Sequence, residues 1–166
     1  MGAVEKRLRE ELAELQVEIN EEKSRIVDLG RGDSFGFLGF DFRRIRSQRG
    51  VWRAHYTPKL KKRTALLRKL KDVFRRHHSQ PVSRVVQLIN PVLRGWVNYF
   101  AVGDSGECFS FIQDWVEKKI RRHMLRARKR KGFGWARWSR QWLYATLKLF
   151  NGYRVRRLGP KVAPAG

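Results

Sequence analysis

Nine of the eighteen residues from Lys59 to Arg76 are cationic: Lys59, Lys61, Lys62, Arg63, Arg68, Lys69, Lys71, Arg75 and Arg76. A second run, Lys118 to Lys131, holds nine among fourteen: Lys118, Lys119, Arg121, Arg122, Arg126, Arg128, Lys129, Arg130 and Lys131. Such side chains make charge-assisted hydrogen bonds to phosphate oxygens, and each phosphate they neutralise releases condensed counterions. Their expected chemistry is the binding of a nucleic-acid backbone rather than the making or breaking of bonds. A solvated face would mix both signs of charge. Here residues 43–166 hold 32 bases and 5 acids, a net of +27, whereas residues 1–42 hold 6 bases and 10 acids, a net of −4. One-sided charge repels itself until a polyanion neutralises it. Charge alone does not separate RNA from DNA. An anionic membrane would require a basic helix with an apolar face free at the surface, and no membrane partner is expected.

Aromatic residues are the second signal. Phe133, Trp135 and Trp138 lie in a connector rich in Gly and Arg, where they either stack on unpaired bases or fill a core. Stacking of this kind is worth roughly 1–3 kcal/mol per base. Trp96, Trp115 and Trp142 sit on apolar stripes, the place of core residues.

Other constellations carry little. His77 and His78 have no Cys or carboxylate at ligand spacing, so no metal site is expected. Cys108 is the single cysteine, which excludes an intrachain disulfide and suits a reducing, cytoplasmic location. No Gly-rich phosphate loop precedes a helix with the needed Lys-Ser/Thr. Glu10, Glu11, Glu14, Glu18, Glu21 and Glu22 read as a soluble face or a charge partner for the basic half, not as an acid–base pair. No catalytic residue and no cofactor is expected in this chain. No apolar run approaches the roughly 18–20 residues of a membrane span.

The elements that hold these side chains divide at Thr57-Pro58. Val4, Leu8, Leu12, Leu15 and Ile19 predict a helix over 3–19, whose last turn also reads as extended. Strands are expected over 25–29, 35–45 and 51–56, with turns at Gly30–Ser34 and Ser47–Gly50, giving an antiparallel meander. Helices follow: 59–76, with Leu60, Arg63, Leu67, Leu70 and Phe74 on one stripe; 81–100, kinked or split by Pro91; 107–129, capped by Asp104 or Ser105; and 139–150, starting at Ser139. The fold class is α+β. The expected organisation is 1–56, helix and meander; 57–158, helical domain; and 159–166, a disordered tail.

Two groups of motifs resemble a known family. Val17-Glu-Ile-Asn-Glu-Glu-Lys-Ser-Arg-Ile-Val27 followed by Phe35-Gly-Phe-Leu-Gly-Phe-Asp-Phe42 is similar to the last palm motifs of group II intron reverse transcriptases. Ile89-Asn-Pro-Val-Leu-Arg-Gly-Trp-Val-Asn-Tyr-Phe100, Trp115 to His123, Arg128-Lys-Arg-Lys-Gly132 and Trp138 resemble that family's maturase-specific thumb. The resemblance implies that Phe37, Leu38, Gly39 and Phe40 form a primer-grip turn and that Lys23 stands beside the polymerase site. Gly36 and Gly39 suit either close approach of a nucleic-acid backbone or packing within the sheet. It also implies a thumb that grips a template–primer duplex and intron RNA, and Mg²⁺ in the full-length enzyme. The family's metal site needs an adjacent Asp pair, and none occurs here. The expected protein is therefore a C-terminal piece that binds RNA and does not polymerise DNA alone. DNA and a separate palm-and-fingers chain are further candidate partners.

Overall fold

The computed structural model describes residues 3–16, 27–128 and 137–156. It is α+β: a helix, a three-stranded antiparallel meander, then a helical bundle. Helix α1 spans Ala3–Glu14 and ends early, because Gln16 turns to a φ of 55°. Residues 17–19 lie outside the described residues.

The meander is built differently from its sequence expectation. Strands β1 (Ser34–Phe37) and β2 (Phe40–Arg46) form a hairpin, and β3 (Trp52–Pro58) pairs on the other side of β2. Residues 27–29 are not a strand: Leu29–Arg31 is a 3₁₀ turn whose N-cap, Asp28, accepts a hydrogen bond from the Gly30 N–H. That local bond competes with a ladder. The expected strand 35–45 is split instead at Leu38 and Gly39, whose φ values of 45° and 85° give the two-residue turn that matches strand twist. Phe35, Phe42 and Tyr56 fall on one face in register, with ring centroids 5.0 and 5.1 Å apart.

Helices α2 (Leu60–Arg76), α3 (Val82–Tyr99) and α4 (Gly106–Ala127) enclose the main core, which includes Leu66, Leu70, Val85, Ile89, Leu93, Ile112, Val116 and Ile120. Each such side chain contributes about 1.5–3 kcal/mol on burial. Leu60, placed on the core stripe by its spacing, is instead exposed, and Leu66 with Leu70 points inward. Helix α3 runs through Pro91 as one element. The last helix, α5, covers only Arg140–Ala145, with Ser139 capping it by accepting from the Trp142 N–H. The chain then leaves helical geometry: Lys148 adopts a φ of 56°, and Asn90 takes hold of the backbone on both sides. Its Nδ2 donates to the Lys148 carbonyl at 2.9 Å and its Oδ1 accepts from the Phe150 N–H at 2.9 Å.

Sheet and bundle share a second core of Phe40, Val97, Phe100 and Phe109. The loop before α4 is stitched to β3 rather than capping the helix. The Asp104 carboxylate accepts from Arg53 Nη1 at 3.0 Å and the Tyr56 N–H at 3.3 Å, while Ser105 Oγ donates to the Val102 carbonyl. Gly103 is required there: its φ is 70°, and a Cβ would meet the Tyr56 carbonyl at 2.7 Å.

Candidate nucleic-acid interface

Two cationic stripes face each other across a groove of about 610 Å³. Helix α2 supplies Lys71, Phe74 and Arg75, the turn after it His78, and α4 supplies Lys119, Arg122, His123 and Arg126. Lys71, Phe74 and Arg75 stand at i, i+3, i+4 on α2, and Lys119, Arg122, His123 and Arg126 at i, i+3, i+4, i+7 on α4, which puts each set on one flank of its helix. No acidic residue lines the groove. The cost of this crowding falls on Lys119, whose pKa is held below the ordinary lysine value by burial and then by Arg122, Lys71 and Arg126. Phe74 packs edge-on to Trp115 and tilted against His123, while His123 Nε2 lies 3.0 Å from the Gln80 carbonyl. The aromatic floor is thus fixed while the cations stand at its edges.

Most of the expected cations reach solvent. Lys61, Lys62, Arg68, Lys69, Lys71, Arg75 and Arg76 are exposed on α2, as are Lys118, Arg122, Arg126 and Arg128 at α4 and its end. Lys59 is half-buried, 4.0 Å from Asp41, and Arg75 pairs with Asp72 at 3.0 Å. Arg63 is half-buried and sits 4.4 Å over the Phe111 ring. It also hydrogen-bonds Cys108, whose thiol pKa is nevertheless pushed up by burial.

Arg121 does not belong to this surface. It is 1% exposed, and its Nη1 donates to Glu117 Oε2 at 3.2 Å, while its Nε donates to the Trp138 carbonyl at 2.9 Å. Glu117 is fully buried and receives two further donors: Arg140 Nε at 2.8 Å and the Tyr144 hydroxyl at 2.6 Å. Gln113 Nε2 donates to that hydroxyl in turn. Burial and then the Glu117 bond raise the Tyr144 pKa, which keeps it a donor. This network clamps α5 onto α4 and holds Arg121 where no phosphate can reach it. Trp138 is corrected likewise: it is 5% exposed within the main core, with Arg128 over its ring at 5.3 Å, and offers no open face to a base.

Sequence reasoning missed the network, although a signal existed. Glu117 and Arg121 each follow an apolar stripe residue, Val116 and Ile120, and are spaced i, i+4. A stripe wider than one residue per turn would have drawn both inward.

Phe37, Leu38, Gly39 and Phe40 form the β1–β2 hairpin turn. Phe37 and Leu38 are 57% and 65% exposed, whereas Phe40 is buried against Phe100 and is not free to touch a ligand. The Tyr99 hydroxyl donates to the Leu38 carbonyl at 2.8 Å, tying the tip to α3. Lys23, Lys129, Arg130, Lys131, Phe133, Trp135 and the 159–166 tail lie outside the described residues. Among the described residues no group of three or more His, Cys, Asp or Glu is placed to hold a metal, and no helix is long and apolar enough to cross a membrane.

No curated protein matches the chain. The family model of the group II intron maturase-specific domain matches residues 63–142, which span most of α2, all of α3 and α4, and the start of α5. Over residues 63–142 the chain is similar to the group II intron maturase-specific domain.

Proposed function

We propose that the chain binds structured RNA, in the first place group II intron RNA or a template–primer duplex, and assists splicing or reverse transcription by stabilising the folded nucleic acid. The observation that carries this reading is the α2–α4 groove, with Lys71, Arg75, Lys119, Arg122 and Arg126 around it and no carboxylate in its lining. Beyond residue 42 only five acids exist, and Glu117 and Asp104 among them are already engaged inside the fold. Five acids cannot neutralise the 32 bases that share residues 43–166 with them, even with Arg75 paired to Asp72, and a phosphate backbone supplies the missing charge. The maturase-specific domain favours intron RNA as its source.

The chain's role is positional. The exposed guanidinium and ammonium groups bind phosphates, and the half-buried Lys119 gains most from a bound anion, because an anion offsets the like charges around it. RNA is recognised here by backbone and shape rather than by base edges. Competition at matched salt tests the reading. Intron RNA should displace a bound intron fragment at lower concentration than an unrelated RNA or DNA duplex does. Equal displacement by all three would reduce the chain to a general basic binder.

A further inference from the structure

A second groove, of about 540 Å³, lies between α2 and α3. Its α2 residues, Lys62, Ala65, Leu66 and Lys69, repeat the spacing of the phosphate-facing stripe nine residues earlier. Nine residues is about two and a half turns, so the two grooves flank α2 on opposite sides. Unlike the first, this groove is floored by flat apolar surface. Pro91, Trp96 and Tyr99 line it, with Lys62 and Lys69 on the α2 side and no acid in the lining. The Tyr99 ring is pre-oriented by its hydroxyl bond to Leu38 and packs edge-on to Phe100, which in turn packs on Trp96 at 4.4 Å.

Gly95 is the telling residue. A glycine in the middle of α3 weakens the helix relative to alanine. No packing demands it, because a Cβ there would meet nothing within 4 Å. What a side chain at that position would do is project over the groove that Gly95 lines.

Resting on the RNA-binding reading, we propose that this groove takes one unpaired nucleotide of the bound RNA. The base lies against Trp96, Tyr99 and Pro91, with Gly95 leaving room for it, and the adjoining phosphates meet Lys62 and Lys69. Flat rings, a gap in the helix surface and unpaired cations together match an anionic aromatic ligand. The volume falls in the range, about 300–1,000 Å³, of small-ligand sites.

The test uses two stem RNAs identical except for one bulged adenosine, replaced by 2-aminopurine as a stacking probe. The wild-type chain should bind the bulged stem roughly tenfold more tightly than the perfect one and quench the probe. Gly95→Leu, which fills the groove, should abolish both effects, leave affinity for the perfect stem unchanged and keep or raise the melting temperature. Lys62→Gln/Lys69→Gln gives a second route and should cut the bulge preference without touching the rings. If wild-type binds both stems equally, or if Gly95→Leu keeps the preference and the quench, the proposal fails while RNA binding stands. If Gly95→Leu changes only self-association, measured by sedimentation, the groove belongs to a second copy. If wild-type binds neither stem, both readings fall.

Discussion

Glu117 and Arg121 stand one turn apart on α4 and meet inside the protein, Oε2 to Nη1 at 3.2 Å, with exposures of 0% and 1%. Removing one partner leaves the other charged and buried. Arg121→Ala should therefore cost about 3–5 kcal/mol of stability, read as a drop in the urea midpoint. Lys118, next to Glu117 in sequence but exposed, should behave in the opposite way. Lys118→Ala should shift stability by no more than about 0.5 kcal/mol and lower the salt slope of RNA binding by about 1.

Lys119 links stability to function with a definite sign. Burial, Arg122, Lys71 and Arg126 all disfavour its charged form on folding; Arg75, His78 and His123 complete the lining around it. Because its folded pKa lies below the ordinary value of 10.5, the folded state binds fewer protons than the unfolded state in the alkaline window beneath that value. The penalty is therefore complete at neutral pH and fades as pH climbs through the folded pKa. Lys119→Gln should make the free protein more stable at neutral pH, with the gain vanishing above the ordinary lysine value, and should weaken RNA binding. Melts at the two pH values, with an RNA titration alongside, check both halves.

Trp138 is buried beneath Arg128 and carries the carbonyl that Arg121 binds. Trp138→Ala should cost about 3–5 kcal/mol as a large-to-small core change. A base-stacking residue would instead lose RNA affinity at constant stability, so the two readouts separate the roles.

Asn90 fastens the segment after α5. Asn90→Ala removes both of its bonds to the 148–150 backbone and should cost about 1–2 kcal/mol. Hydrogen exchange at the Phe150 amide should quicken while the amides of α3 and α4 stay protected.

The helical bundle was legible because the apolar spacing of α3 and α4 persists over four turns or more, although α3 runs through Pro91 unbroken and α4 has no side-chain cap. Val85, Val86, Ile89, Leu93 and Ile112, Val116, Ile120 are buried where the pattern puts them. The meander was legible in its antiparallel class and in the segments 35–45 and 51–56, but not in its first strand, since residues 27–29 form no strand and 35–45 supplies two. A positive φ at Leu38, a residue with no local sign of a turn, splits one expected strand into two, and Asp28 bonds its own loop. Composition located the cationic surface. It could not separate Arg121 from its neighbours, because burial of a charge depends on the carboxylate opposite it. The expected cap at Asp104 failed for a similar reason, since β3 offers that carboxylate Arg53 and the Tyr56 amide at longer sequence range.

Salt dependence of RNA binding tests the central claim most directly. For the wild-type chain, log affinity should fall linearly and steeply with log salt. A Lys71→Gln/Lys119→Gln/Arg126→Gln variant should flatten the slope by about 1 per cation removed. A variant slope equal to the wild-type slope, or a wild-type chain that ignores folded RNA in dilute buffer, would contradict the assignment of the α2–α4 groove to phosphate.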